Sequence, residues 1–234
     1  MTTVFSKRRL ELLKNISFFS CLKDADLGQV ADKCIERQFA RNAIILSKDD
    51  EGDTLHIVES GRVKAVLTAQ SGREIVLAYF GPGEFFGEMS FLDNKARSAD
   101  VVAVDDTRVL TLSMEEFWSL AQRNMGMFQS LINELCARLR QADEVIMNLA
   151  LMDVYGRVAN YLIGMIKKAG KIGVEWCEIE NPPTQLEIAN TLGSSRETVS
   201  RIFAEYRKRG ILKKQGRKLF LKRSAIQNIV GNYD

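Results

Sequence analysis

The sequence predicts an α+β protein: an N-terminal antiparallel β-roll with flanking helices, one long helix, and a C-terminal winged helix-turn-helix. Three observations carry this. Between Gln38 and Ser113 the chain runs in short β-branched stretches bounded by glycine turns, with no long helix between them. From Met127 to Met152 an apolar residue recurs in alternating steps of four and three. From Thr184 to Lys208, in TQLEIANTLGSSRETVSRIFAEYRK, two helix-start signals flank one glycine. The expected division is 1–126 for the roll with its helices, 127–152 for the long helix and 153–234 for the winged helix-turn-helix.

Taken in order, residues 5–38 read as amphipathic helix, with Leu10, Leu13, Ile16, Leu22, Leu27 and Val30 as the apolar faces. Strands are expected in AIILS, TLHIVES, RVKAVLTA, EIVLAYF and DVVAVDDTRVLTLS. Turns fall at Asp49 to Asp53, Ser60-Gly61, Gln70-Ser71-Gly72 and Gly81-Pro82-Gly83. His56 lies mid-strand and reads as a satisfied or half-exposed strand histidine rather than a metal or haem ligand. The stretch from Gly81 to Ser98 reads as a loop. MEEFWSLAQRN is a helix, and the long helix follows, with Phe128, Ile132, Leu135, Leu139, Ala142, Ile146 and Leu149 as its seam. So regular a seam favours a parallel homodimer; the alternative is a helix packed on its own domain. Asp153 caps the next helix, to about Gly170. Residues 171–183 read as strand and turn with Trp176 and Ile179 in the core, and Gly210 to Leu221 as a hairpin with a basic tip, a wing.

In the helix-turn-helix, Thr184 with Glu187 and Ser194 with Glu197 each fit a capping box, and Gly193 supplies the left-handed turn. Val199, Ile202 and Tyr206 form the buried stripe of the second helix. At about 100° per residue, Arg196, Glu197, Ser200 and Arg201 then share an arc of roughly 140° on the opposite side. Arginine can bond guanine through two N–H groups and a carboxylate can accept from cytosine, so this face suits base edges; the plainer alternative is a solvated helix face.

Of 234 residues 46% are hydrophobic, enough for a sizeable core in one or two domains. The net charge of +3 is unevenly spread. Residues 153–234 hold 15 Lys+Arg against 8 Asp+Glu, while residues 1–152 hold 18 against 22. A basic C-terminal part on an acidic body points to nucleic acid at one end. The four cysteines match no zinc or iron–sulfur spacing and read mostly as buried reduced thiols; no metal site is expected. With His56 the only histidine, triad chemistry is poorly supplied, and no catalytic residue is assigned. No apolar run approaches membrane-spanning length and no secretory segment is seen, so a soluble, cytoplasmic protein is expected.

Within GPGEFFGEMSFLDNKARS the glycines fit neither the dinucleotide fingerprint nor a P-loop. Gly87 can bring backbone N–H groups toward an anion, Arg97 offers a fork suited to phosphate, Ser98 a hydroxyl, and Glu88 an acceptor for a sugar hydroxyl. Phosphate plus ribose is a chemically complete ligand for this set. Glu88 and Arg97 could equally form a structural ion pair.

Three segments together resemble the CRP/FNR superfamily of bacterial transcription regulators, over nearly the whole length. Gly83-Glu84-Phe85-Phe86-Gly87-Glu88 with Arg97-Ser98 is similar to that family's phosphate-binding cassette. Ser195-Arg196-Glu197-Thr198-Val199 with Arg201 is similar to its recognition helix. Asn148-Leu149-Ala150 with Asp153-Val154-Tyr155-Gly156-Arg157 is similar to its hinge. The resemblance implies cAMP or cGMP as effector, held by Gly87, Glu88, Met89, Arg97, Ser98, Ala142 and Asp143. It implies a TGTGA-like palindrome in double-stranded DNA, contacted by Thr184, Ser195, Arg196, Glu197, Ser200 and Arg201. A homodimer through 127–152 and RNA polymerase as a partner are implied as well. The chain departs from the pattern at Ala142 and Asp143, where cAMP-dependent members carry hydroxyls toward adenine. Asp143 is either an acceptor for an exocyclic amine or a solvated flank of the seam. The departure leaves open the same architecture with another effector, such as cyclic di-GMP, or active without ligand. An enzyme acting on a nucleotide would need a nucleophile–base pair or metal set that the loop lacks.

Overall fold

The computed structural model describes residues 2–72 and 74–225. The described chain divides into two compact units, residues 1–140 and 141–234.

The first unit opens with α1 (Thr2–Lys14) and α2 (Asp24–Lys33). Eight strands follow: β1 (Ile35–Phe39), β2 (Ile44–Leu46), β3 (Thr54–Ser60), β4 (Val63–Thr68), β5 (Glu74–Phe80), β6 (Phe85–Phe86), β7 (Asp100–Ala103) and β8 (Thr107–Ser113). They form two antiparallel four-stranded sheets, in the orders β1-β8-β3-β6 and β2-β7-β4-β5. The short helix α3 (Glu88–Asp93) lies between β6 and β7, and α4 (Met114–Ala121) leads into the long α5 (Met125–Leu151). The expected strands are present, with two corrections. β1 begins at Ile35, inside the stretch read as helix. Its exposed, charge-rich sequence carries no alternating pattern to mark it, because it is an edge strand paired only with β8. The segment 81–98 is not all loop but holds β6 and α3.

Strand alternation sorts this unit's core into two clusters. Leu55 and Ile57 of β3, with Leu110 and Leu112 of β8, pack against Leu13, Phe18, Phe19, Leu27 and Val30 from the N-terminal segment and Met127 and Leu131 of α5. Phe18 meets Phe85 edge-on at 4.8 Å. Val58 and Val109, from the alternate positions, join Val63, Phe86 and Val101 in the second cluster.

His56 shares the alternation of Val58 and stacks on Phe86, with ring centroids 5.1 Å apart. It is neither satisfied nor half-exposed: it is 5% exposed and its Nδ1 has no hydrogen-bond partner. Burial, reinforced by the nearby Arg97 charge, lowers its pKa to about 4. Two cysteines, Cys34 and Cys177, are buried thiols as expected, but Cys21 and Cys136 are exposed, so burial holds for half of them.

The second unit contains the end of α5, then α6 (Val154–Ala169), β9 (Lys171–Ile172), β10 (Trp176–Ile179), α7 (Gln185–Thr191), α8 (Arg196–Lys208), β11 (Leu212–Gln215) and β12 (Lys218–Lys222). Its four strands form one sheet, β11-β12-β10-β9. Asp153 caps α6 by accepting from Gly156 N at 2.8 Å. Asn160 of α6 donates to Asn148 Oδ1 at 3.3 Å and to Met152 Sδ at 3.1 Å, holding the turn between α5 and α6. Tyr206 of α8 donates to the Tyr155 carbonyl at 2.7 Å, fixing α8 against the start of α6. Ile179 is in the core with Cys177, whereas Trp176 is half-buried on the alternate face, under the Lys213 ammonium at 4.1 Å.

The buried imidazole makes stability depend on pH. Its folded pKa lies below the ordinary value, so the unfolded chain takes the proton first. The stability is fully present above about pH 6.5 and is lost as pH falls toward 4, by up to about 1.4 kcal/mol per pH unit. In urea titrations between pH 7 and 4, His56→Phe should flatten this loss relative to the wild type.

Candidate ligand site and nucleic-acid face

In the first unit the loop between β2 and β3, the segment from Phe85 to Ser90, and Arg97 come together. Arg97 is 5% exposed. Its Nη1 donates to the Gly87 carbonyl and to Ser90 Oγ, both at 2.7 Å. Its Nη2 donates to the Thr54 carbonyl at 3.0 Å and to Thr54 Oγ1 at 3.3 Å. Burial lowers its pKa, while the Asp53 and Glu88 carboxylates act to raise it. The main chain is stitched to the same loop, since Arg97 N donates to the Asp50 carbonyl at 2.8 Å and Asp49 N to the Arg97 carbonyl at 3.0 Å. A cavity of about 280 Å³ opens beside the guanidinium, with Ile44 and Leu46 on one wall and Asp50, Glu51 and Asp53 around it.

Gly87 is left-handed, with φ +81°, and is the N-cap residue of α3. A Cβ there would lie 2.8 Å from Arg97 Nη1, so glycine serves both the backbone turn and the approach of the guanidinium. Glu88 follows at 7% exposure. It does not pair with Arg97. Its Oε1 accepts from Arg138 Nη1 of α5 at 3.0 Å, which settles the ion-pair alternative for Glu88 and Arg97 against it. Arg138 also donates to the Phe85 carbonyl at 2.9 Å, bonds Glu134 at 3.4 Å, and lies over the Phe85 ring at 4.3 Å. Met89 is exposed, and the exposed Ser98 hydroxyl donates to its sulfur at 3.5 Å. Gly87, Glu88, Met89, Arg97 and Ser98 therefore form one group. Ala142 and Asp143 are exposed on α5 within the second unit.

Sequence reasoning missed Arg138, Thr54 and Ser90. The signal for Arg138 was its place on a helix, three residues beyond the seam position Leu135. The hydroxyls carried none, because they act on a side chain far along the chain.

In the second unit, Thr184 caps α7 by a complete capping box with Glu187. The second expected box is corrected. Ser195, not Ser194, is the N-cap residue of α8, so Glu197 falls one position short of closing a box. Ser195 Oγ accepts from Thr198 N at 3.1 Å and shares a hydrogen bond with Thr198 Oγ1 at 3.0 Å, and Arg201 Nη2 reaches the same Thr198 oxygen at 3.4 Å. The helix-start N–H and hydroxyl groups lower the pKa of Glu197. Val199, Ile202, Phe203 and Tyr206 are buried; Arg196, Glu197 and Arg201 are exposed and Ser200 is half-buried. Gly193 is left-handed, with φ +61°.

Residues 36–124 match the family described as cyclic nucleotide-binding domain, and residues 156–228 the Crp-like helix-turn-helix domain. The chain is 36% identical over 180 residues to the cyclic AMP receptor protein of Thermus thermophilus, covering 76% of this chain and 79% of that protein. It is 27% identical over 211 residues to a CRP-like cAMP-activated global transcriptional regulator of Mycobacterium tuberculosis, covering 90% and 94%. Among solved structures, a CooA double mutant from Carboxydothermus hydrogenoformans shares the fold, with TM-score 0.75 and 22% identity over 87% of this chain and 89% of that one. The chain belongs to the CRP/FNR superfamily of transcription regulators. It joins a cyclic nucleotide-binding domain to a DNA-binding helix-turn-helix. Among the described residues no group of three or more His, Cys, Asp or Glu could hold a metal ion, and no helix is long and apolar enough to cross a membrane.

Removing one partner of a largely buried ion pair leaves the other charge unpaired. Arg138→Leu should lower stability by about 3 kcal/mol in urea denaturation, and adding Glu88→Gln should recover much of that loss.

Proposed function

We propose that this protein is a homodimeric, sequence-specific transcription regulator gated by a cyclic nucleotide, cAMP or cGMP, and reading a TGTGA-like palindrome. The observation that carries the reading is the gathering of a buried guanidinium, a buried carboxylate and an exposed hydroxyl, Arg97, Glu88 and Ser98, around one left-handed glycine. Arg97 and Ser98 would take the cyclic phosphate with Gly87 and Met89 beside it, and Glu88 the ribose hydroxyl. Ala142 and Asp143 would read the base. The cAMP-activated relatives support the cyclic nucleotide assignment.

The functional partition is 1–126 for effector binding, 127–152 for dimerisation and 153–234 for DNA. Along α5 the seam residues Ile132, Leu139 and Ile146 are exposed, 63% in the last two, and burying such a stripe against a second copy would remove apolar surface from water. Two copies would then present two α8 helices to half-sites roughly 34 Å apart, the spacing known for helix-turn-helix dimers. Arg196, Glu197, Ser200 and Arg201 would meet base edges, and Thr184 and Ser195 phosphates. Ligand acts as a population shift: it must bind the DNA-competent arrangement more tightly than the other. Such a regulator works in the cytoplasm with RNA polymerase as its partner.

One observation favours the second reading, a roll that answers another effector or works without ligand. Both Nη groups of Arg97 and the Glu88 carboxylate already have protein partners. Titration calorimetry with cAMP, cGMP and cyclic di-GMP, beside mobility shifts on a TGTGA palindrome with and without each, separates the readings. Arg97→Leu should keep the fold and lose the ligand-dependent part of DNA binding; an unchanged ligand response sinks the proposal. Arg196→Ala and Arg201→Ala should each cost about 1–3 kcal/mol on the palindrome and relax preference at one base pair, whereas Thr184→Val should weaken all sequences alike.

A further inference from the structure

Gly52, in the loop between β2 and β3, lies against the guanidinium of Arg97. A Cβ at this position would stand 2.1 Å from Arg97 Nε, 2.2 Å from Cζ and 2.3 Å from Nη2. Gly87 closes on the remaining nitrogen, Nη1, where an added Cβ would stand at 2.8 Å. The guanidinium therefore abuts two residues that have no side chain. Gly87 also needs its glycine for a left-handed backbone, but Gly52 is not among the positive-φ glycines. The three atoms nearest an added Cβ there all belong to Arg97. In the position where it makes its four hydrogen bonds to Thr54, Gly87 and Ser90, the group occupies the space a side chain at 52 would take.

We infer that Gly52 is a positioning residue for the anion-binding arginine: it fixes where Arg97 lies and so sets the phosphate-dependent part of ligand affinity. The inference rests on the proposed cyclic-nucleotide reading and names a residue outside the phosphate-binding segment. The clash that an alanine would create is with the far end of a flexible side chain and not with backbone. The cheapest relief is displacement of Arg97, with the fold kept. A methyl group at position 52 should then act on the ligand only through the arginine.

The test is calorimetric titration of each cyclic nucleotide against its parent nucleoside, cAMP with adenosine and cGMP with guanosine. The proteins are the wild type, Gly52→Ala, Arg97→Leu and the double variant. The wild type should prefer the phosphate-bearing ligand. Gly52→Ala should lose at least tenfold of that preference while nucleoside affinity changes less than twofold. In the Arg97→Leu background the same change should have no further effect, since the group it displaces is gone. A Gly52→Ala protein that keeps the wild-type preference overturns the inference, as does one that loses cyclic nucleotide and nucleoside affinity in parallel. An equal additional loss in the Arg97→Leu background overturns it too. If Gly52→Ala does not fold alone, the double variant should fold, because its clash is removed; failure of both to fold refutes the steric argument. A wild type with no preference for the cyclic phosphate removes the ligand reading itself, and the inference with it.

Discussion

A guanidinium withdrawn from water must be given acceptors, and the first unit holds two that meet at one segment, Arg97 buried and Arg138 half-buried. Arg97 and Arg138 converge on one short segment, Phe85 to Ser90, from two positions further along the chain. Arg97 takes the Gly87 carbonyl and the Ser90 hydroxyl. Arg138 takes the Phe85 carbonyl and the Glu88 carboxylate. Desolvating either charge without these partners would cost several kcal/mol, so the segment holds its shape because both cations need it. The left-handed Gly87, the brief β6 and the start of α3 carry these acceptors within six residues. Any ligand that bonds Arg97 or Glu88 thus acts on groups already tied to the β2–β3 loop and to α5.

The exposed face of α8 is arranged on a smaller scale by the same means. Ser195, Thr198 and Arg201 form a chain of hydroxyl contacts along the first turn of α8. These contacts hold a long arginine near the helix surface before any base is met. Tyr206 anchors the far end of the same helix to the Tyr155 carbonyl, so the face is supported from both ends. Side-chain entropy that is spent within the protein is not lost again on binding.

The architecture was legible because its signals are periodic. The strands from Thr54 to Phe80 alternate or run apolar between glycine turns, α5 repeats in sevens, and α8 carries Val199, Ile202 and Tyr206 on one stripe. Where periodicity fails, reading failed with it. β1 is an exposed edge strand of mixed charge, and β6 has two residues, too few to show a period. Ser194 and Ser195 are adjacent hydroxyls either of which satisfies a cap pattern, and only the backbone geometry chooses Ser195. In the ligand group, Arg97, Glu88 and Ser98 were legible from their chemistry. Arg138 was not, because its role depends on α5 being laid against the Phe85 segment. Gly52 was not, because a missing side chain has no chemistry of its own to read.

The charge of the C-terminal part overstates what it can give to a polyanion. Lys218 is held by Glu178 and Glu180, Lys171 by Glu180, Arg209 by Glu205, and Lys213 lies over the Trp176 ring. These cations already have counter-charges or a π face within the protein, and they displace fewer condensed ions from a duplex than free side chains would. Each phosphate truly neutralised contributes about −0.9 to the slope of log affinity against log salt. The released-ion count should therefore follow the basic residues that lack such an internal counter-charge, Arg196, Lys214 and Arg217 among them, rather than the total of basic residues. Acidic neighbours thus set how far sequence-independent attraction can compete with base reading at physiological ionic strength.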